Sequence, residues 1–407
     1  VRSSFRAHAA SADAWAAMPE VTEMEADPTY MEIAGLRFTL AQPGTSAAAM
    51  QEAKAKLSAH IEKLSMAPFY KLVCEQLAWT VDAAKLATME GANATELTTL
   101  TDKIKNAEEN EGESEIREAY LARADFLMRI GEKDKAIEAY DETVTKTVAL
   151  GPKLDIMLSQ LRIGFFFDDP QLLKAKLAKA KAMLEEGGDW ERRNRLKVYE
   201  AVFLLQIRDL KASAKLLLDS IATFTATELL PYNTFIFYTV VASLVALPRK
   251  ELKAKVIDAP EILQVLHELP HMPELLDGMY LCQYDQLMRA LVATIDAMKA
   301  DRYLTKHARY YYREVRVMAY TQFMESYRTV SLSSMAASFG VSPAYMDKEL
   351  SGFISSGRLS CKLDAVAGVV NSTRPDAKSA QYLATIKHGD VLLNRVQKLS
   401  RVINLDI

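Results

Sequence analysis

Apolar residues return every three or four positions along most of this 407-residue chain, and that spacing predicts amphipathic helices. No stretch before about residue 350 alternates apolar and polar residues over more than about five positions, so we expect no strands there. From residue 114 the predicted helices follow one another in pairs: 116–130 with 134–147, 154–167 with 170–185, and 192–207 with 210–224. Helical pairs of this kind are expected to stack into a solenoid.

The first pair carries the clearest repeat signature. Its small and aromatic positions, which let two helices approach closely, are Ala124, Gly131, Ala136 and Tyr140, as in a tetratricopeptide-like unit. Ala136 and Ala214 hold the small positions in the second helices of pairs one and three. One pair therefore takes about 39 residues, which is a helical-solenoid period.

A different kind of module, a winged helix, is predicted for residues 326–375. Its first helix covers residues 332–339, and Gly340 supplies the positive φ that ends a helix. Ser342 then caps a second helix that starts with Pro343, where a missing N–H costs nothing. Two short strands, with the wing between them, are expected to follow at residues 358–363 and 368–372.

The last predicted element is one helix over residues 379–402. Its apolar stripe consists of Tyr382, Ile386, Leu393, Val396, Leu399 and Ile403. A stripe of this kind is stable only when it is buried, so we expect it to pack on another helix, in this chain or in a partner.

These elements give a mostly α fold: a right-handed tetratricopeptide-like solenoid, then a winged helix, then a long C-terminal helix. The expected layout is a divergent or disordered tail at 1–27, N-terminal helices at 28–111, the solenoid at 112–325, the winged helix at 326–375 and the C-terminal helix at 379–404.

Composition excludes several classes of function. The net charge is −3, so no overall basic field would attract nucleic acid or acidic membranes. Three cysteines that lie far apart in sequence indicate isolated thiols instead of a disulfide framework. The most apolar run, residues 235–247, has 13 residues and is too short to span a bilayer of about 30 Å.

The one motif that suggests catalysis is interrupted by a proline. His267 and His271 match H-E-x-x-H, which binds zinc when both imidazoles lie on one helix face. Pro270 breaks such a helix at a cost of about 3 kcal/mol. The sequence contains no phosphate-binding loop, nucleophile elbow or pair of C-x-x-C motifs. We therefore expect no catalytic residue, no metal site and no cofactor.

DNA binding is the alternative that a winged helix raises. A recognition helix normally carries Arg or Lys for phosphates and base edges. Between residues 342 and 356 the only basic residue is Lys348, which lies between Asp347 and Glu349. The aromatic run at 310–312 could stack on bases, but its position on a helix favours a core role. We therefore expect the module to contact protein.

Seven short blocks carry a more specific likeness. They lie at residues 113–117, 141–151, 185–199 (EEGGDWERRNRLKVY), 311–316, 336–341, 357–361 and 391–404 (VLLNRVQKLSRVIN). These blocks resemble the PCI-domain family, which is shared by the proteasome lid, the signalosome and a translation initiation factor. The likeness is closest to a subunit of the proteasome lid, and it implies a PCI domain over about residues 192–375.

The resemblance implies a noncatalytic scaffold for ubiquitin-dependent protein degradation in the cytoplasm and nucleus. The strands at 358–363 and 368–372 would offer a sheet edge to other PCI-domain lid subunits, and the last helix would enter a shared bundle. The implied partners are these subunits, the lid deubiquitinase module and the ATPase ring, with no nucleic acid and no membrane. A PCI subunit of the signalosome is the nearest alternative.

Ten residues are expected at these contacts. They are Arg358, Leu359, Cys361, Leu363 and Val369 in the winged helix, and Ile386, Leu393, Val396, Leu399 and Ile403 in the last helix.

Overall fold

A computed structural model of the chain describes residues 29–44, 46–373 and 377–405. Within these ranges the fold is mostly α, with nineteen helices and one three-stranded sheet. The chain forms two compact units: the first reaches to Tyr199 and includes Thr223–Tyr232, and the second comprises Glu200–Ala222 and the chain from Asn233. The tail expected at residues 1–27 lies outside the described residues.

The first unit is built from consecutive helices. These are α1 Thr29–Ala41, α2 Ala47–Lys63, α3 Ala67–Leu77, α4 Ala83–Asn110, α5 Glu113–Ile130, α6 Lys133–Lys146, α7 Leu150–Phe167 and α8 Pro170–Gly187, followed by α9 Trp190–Gln206, in which the division between the units falls. The helical pairs that the apolar periodicity predicts are confirmed, with ends that differ by a few residues.

Turn chemistry in the sequence explains where these helices start and stop. Asp169 caps α8: its Oδ1 accepts from the backbone N–H groups of Gln171 at 3.0 Å and Leu172 at 3.1 Å, and Pro170 takes the first helical position. Gly131 ends α5 with a φ of 81°, a left-handed conformation that favours glycine.

The pair α5–α6 packs through the small residues that the sequence singles out. Ala124 and Ala136 are fully buried, and so is the ring of Tyr140. The Tyr140 hydroxyl donates a hydrogen bond to Oδ1 of Asp125 at 2.5 Å. Burial raises the pKa of the Asp125 carboxyl and that of the Tyr140 hydroxyl, so the hydrogen bond satisfies two polar groups that the core would otherwise leave unpaired.

The second unit contains the remaining helices and the sheet. The helices are α10 Leu210–Ser220, α11 Tyr232–Ala246, α12 Arg249–Leu252, α13 Pro260–Leu266, α14 Met272–Tyr280, α15 Tyr284–Ala300, α16 Ala308–Ser326, α17 Leu332–Ser338, α18 Pro343–Ser355 and α19 Ala377–Leu405. The helix expected at 210–224 ends at Ser220, where a 3-10 turn over Ile221–Thr223 replaces its last residues.

The expectation of no strands before about residue 350 is wrong. The sheet consists of β1 Thr329–Ser331, β2 Cys361–Asp364 and β3 Val369–Ser372, in the antiparallel order β1-β3-β2. A strand of three residues is too short to show alternation, so the sequence gives no signal for β1.

The winged-helix order is confirmed, but its first wing strand begins three residues later than expected. The backbone N–H groups of Arg358 and Leu359 both donate to the carbonyl of Phe353, at 2.9 and 3.3 Å, and so close the end of α18. These two residues therefore belong to the helix terminus and not to the sheet. Ser342 caps α18 as predicted, since its side chain accepts from the N–H of Tyr345.

We predict that Gly131→Ala destabilises the α5–α6 pair by about 2–4 kcal/mol, because left-handed strain adds to a steric overlap. A Cβ at this position would lie 2.7 Å from Cβ of Phe69. Gly357→Ala is the matched control, because Gly357 has a φ of 69° and nothing within 4 Å of its added Cβ. Hydrogen exchange should show a much larger loss of protection around residue 131 than around residue 357; equal losses would contradict the overlap.

Candidate subunit interface

The winged helix is held in place by a cluster of aromatic rings. Phe339, at the end of α17, lies 4.6 Å from the ring of Tyr284, 4.8 Å from Tyr320 and 5.6 Å from Phe323, measured between centroids. Tyr311 and Tyr320 on α16 are fully buried, and burial raises the pKa of both hydroxyls. The core role predicted for the aromatic run on α16 is confirmed for Tyr311, so this ring offers no stacking surface for bases.

The sheet has two outer strands, and Val369 lies on neither. β3 pairs with β1 through Val330↔Val370 and with β2 through Leu363↔Val370. Because β3 is hydrogen-bonded on both sides, it cannot offer a free edge, and the expectation that both wing strands do so is wrong for this one. The outer sides of β1 and β2 pair with no strand in the described part of the chain. Val369 itself is partly buried, and its contact role stays a prediction.

Two of the residues predicted at the contact lie inside the module. Leu359 and Cys361 are each 5% exposed, and burial raises the pKa of the Cys361 thiol. Leu363 is partly buried. Arg358 is exposed, and its guanidinium forms an ion pair with Glu314 on α16. A partner on the β2 edge would therefore not touch the side chains of Leu359 and Cys361 directly. These side chains would affect binding only by supporting the structure of the winged helix.

Other side chains, which sequence reasoning missed, face solvent along β2 and at the wing. Lys362 and Asp364 are exposed on β2, and Val366 is fully exposed at the apex of the wing. Asp364 fixes this turn, because its Oδ1 accepts from the N–H groups of Val366 at 3.0 Å and Ala367 at 3.1 Å. Asp364 and Gly368, four residues apart, are turn-forming residues, so the sequence indicates a turn here. It does not indicate that the turn exposes the side chain of Val366.

The surface of α18 is unsuited to nucleic acid. Glu349 forms an ion pair with Arg316 of α16, whose Nη1 also donates to the Tyr345 hydroxyl at 2.7 Å. Both charged groups of that pair are nearly buried, so Arg316 adds no positive charge to the outer face. Lys348 is the one basic side chain on α18, and the other exposed positions are small, hydroxyl-bearing or aromatic. A phosphate backbone would find a single cation there.

The C-terminal helix α19 displays its apolar side chains to solvent. Every side chain described on it is exposed, and its large apolar residues range from 45% for Val391 to 70% for Tyr382. Seven of its ten large apolar residues recur with a seven-residue spacing at three heptad positions that are neighbours on the helix surface, and Leu383, Val391 and Val402 lie at other positions. Tyr382, Val396 and Ile403 occupy the first position, Leu392 and Leu399 the second, and Ile386 and Leu393 the third.

Three apolar positions per heptad make a wider face than the two-position seam of a simple coiled coil. Such a face can contact two neighbouring helices at once. Leu392, which is 63% exposed, extends the stripe that was predicted from the sequence. A seven-residue repeat in the sequence indicates Leu392, because Leu399 follows it by seven residues.

The interrupted H-E-x-x-H motif does not form a helical site. His267 follows the end of α13, and His271 precedes α14 with a φ of 65°. Among the described residues no group of His, Cys, Asp and Glu has the arrangement of a metal site. None of the helices in the described ranges is both long and apolar enough to cross a bilayer.

Comparison with known families covers both units. The family model described as 26S proteasome subunit RPN7 matches residues 82–255, and the PCI domain model matches residues 292–374. A protein of rice named 26S proteasome non-ATPase regulatory subunit 6 is 49% identical, over 92% of this chain and 97% of its own length. The chain belongs to this family.

Other members agree over the same extent. A Dictyostelium discoideum protein with the same name is 48% identical over 92% of this chain and 97% of its own length. The Saccharomyces cerevisiae protein named 26S proteasome regulatory subunit RPN7 is 36% identical over 93% of this chain and 94% of its own. These names favour the proteasome over the signalosome. The wider PCI boundary at residue 192 stays a prediction.

A further family model, the RPN7/PSMD6 C-terminal helix, matches residues 381–403. This range contains all seven large apolar residues of the three heptad positions on α19. In the RPN7 family this helix is thus a recognised element, and in this chain it carries a wide apolar face that is exposed to solvent.

We predict that Leu359→Ala destabilises the isolated chain strongly and that Leu393→Ala hardly changes its stability, although the side chain removed is the same. Leu359 is buried, so its loss should destabilise the winged helix by about 2–5 kcal/mol. Leu393 is 60% exposed in the isolated chain, and its loss should change stability there by less than about 0.5 kcal/mol. Hydrogen exchange of the two purified variants measures both. An unchanged stability of the Leu359→Ala module would show that Leu359 does not support the winged helix from inside, and its contact role stays a prediction.

Proposed function

We propose that this chain is a noncatalytic scaffold subunit of the 26S proteasome regulatory-particle lid, acting in ubiquitin-dependent protein degradation. The observation that carries the proposal is the exposed three-position apolar face of α19. Exposing such an apolar face to water is thermodynamically unfavourable, so the helix requires partners that cover it. The names of the relatives supply the identity of the assembly that provides them.

The magnitude of burial supports a bundle with more than one neighbour. Fully burying one large aliphatic or aromatic side chain contributes about 1.5–3 kcal/mol. The seven side chains are 50–70% exposed, so covering what is still exposed contributes on the order of 6–13 kcal/mol before any cost. Association costs an estimated ~4–15 kcal/mol. A contact with one helix would bury only part of the face and would be marginal. Two neighbouring helices bury all of it, and this favours a bundle of at least three.

The winged helix supplies a second attachment. The outer strand β2, with Lys362 and Asp364 exposed, can pair with the PCI module of a neighbouring lid subunit by main-chain hydrogen bonds. With both contacts, the subunit would help to hold the lid deubiquitinase module against the ATPase ring. The chain would itself perform no chemistry, and it would work in the cytoplasm and nucleus as part of a hetero-oligomer without nucleic acid or membrane.

We predict that a chain ending before Ser379 stays folded but fails to enter the lid. Removing α19 deletes no buried side chain from the described parts of either unit, because the described side chains of α19 are all exposed. Circular dichroism and thermal melting of the truncated chain test folding, and native gel electrophoresis of the complex tests incorporation. Normal incorporation of the truncated chain would contradict the bundle role.

Point variants on α19 test whether incorporation depends on the apolar face or only on the presence of a helix. Leu392→Asp with Leu399→Asp places two charges on the apolar face and should abolish incorporation. Lys387→Asp with Asn394→Asp introduces two aspartates into the same helix, outside the three apolar heptad positions, and serves as the control. Equal loss in both pairs would show that helix propensity or net charge matters and that the apolar face does not.

A further inference from the structure

The first unit exposes a tryptophan, although tryptophan is among the side chains that proteins bury most on average. Trp190, at the start of α9, is 62% exposed. Val148, in the turn between α6 and α7, is 80% exposed. Two large apolar side chains that are exposed at the same end of one unit indicate a contact site more strongly than either would alone.

Two close approaches at the start of α7 place these two residues at the same end of the helical pairs. A Cβ added to Gly151, in the first turn of α7, would lie 3.3 Å from the guanidinium of Arg192 on α9. A Cβ added to Gly187 would lie 3.9 Å from Cδ2 of Leu150. The turn that carries Val148 therefore packs beside the turn that carries Trp190.

Acidic side chains surround this end. Residues 108–118 contain six carboxylates and one arginine, and residues 185–191 contain four carboxylates and no basic residue, all ten carboxylates being exposed. The two segments flank Val148, because Lys146 at the end of α6 lies 3.7 Å from Glu108.

The nearest arginine does little to offset this charge. Arg192 donates to both carboxylate oxygens of Asp155 at 2.8 Å and lies 3.6 Å from Asp189 of the acidic segment, so its single charge is shared between two carboxylates. We call the surface formed by Val148, Trp190 and the two flanking segments the acidic end surface.

We propose that the acidic end surface binds a basic, arginine-bearing segment of another protein, with a guanidinium stacked on the Trp190 indole. Trp and Arg dominate binding energy at protein interfaces, and a guanidinium over an indole ring adds a cation–π attraction. The carboxylates attract such a segment and repel nucleic acid and acidic peptides. This contact goes beyond the proposed function, whose contact surfaces, α19 and the β2 edge, lie in the second unit.

Site-specific photocrosslinking in the full chain tests the proposal inside cells. Trp190→p-benzoylphenylalanine keeps an aromatic side chain at an exposed position, and mass spectrometry identifies the segment that it captures. We expect a segment with net positive charge and at least one arginine at the site of attachment. A captured segment that is neutral or acidic, or no capture at all, would overturn the proposal.

Charge reversal checks that the carboxylates select the partner. Glu185→Lys with Glu186→Lys should lower the crosslink yield at position 190 by about tenfold or more. Glu75→Lys with Glu138→Lys, two exposed carboxylates elsewhere in the same unit, should lower it less than about twofold. Equal effects of the two pairs would also overturn the proposal.

The same probe at position 386 on α19 keeps the two proposals separate. If position 386 captures neighbouring subunits while position 190 captures nothing, the scaffold function survives and the acidic end surface does not bind a partner. Capture at position 190 without capture at position 386 would give the opposite result.

Discussion

An amphipathic helix is stable in water only when its apolar face is covered, and this requirement governs the C-terminal part of the chain. Isolated helices gain little from propensity alone, and most of their stability in proteins comes from packing. The described side chains of α19 are all exposed, and seven of its large apolar residues fall on three heptad positions that form one face. We therefore propose that the sequence of this helix encodes association, with its apolar face covered by helices of partner subunits.

The winged helix before it is built as a rigid support. The rings of Tyr284, Tyr320 and Phe323 enclose Phe339, and the nearly buried pair Arg316–Glu349 joins α16 to α18. With these groups fixed in the free chain, the proposed binding through the β2 edge would lose little side-chain entropy. Leu359 and Cys361 serve this preorganisation from inside the module.

Periodicity in the sequence was enough to predict the helical pairs, because a buried helix face repeats over many residues. It could not predict β1, whose three residues show no period, or the late start of β2, which depends on two N–H groups that close α18. Contact residues were hardest to predict. Leu359 is buried in the winged helix, whereas Leu393 is exposed on α19. The residue type alone does not distinguish these two leucines. The fold, and not the residue type, decides which of them a partner can reach.

Hydrogen exchange of α19, compared between the purified chain and the assembled lid, tests the central claim most directly. In the purified chain the amides of α19 should exchange quickly, because a helix without packed neighbours opens readily. In the lid the same amides should be protected by at least about a hundredfold, which corresponds to about 2.7 kcal/mol of burial that association supplies. Equal exchange of α19 in the two states would show that this helix is not what joins the chain to its partners.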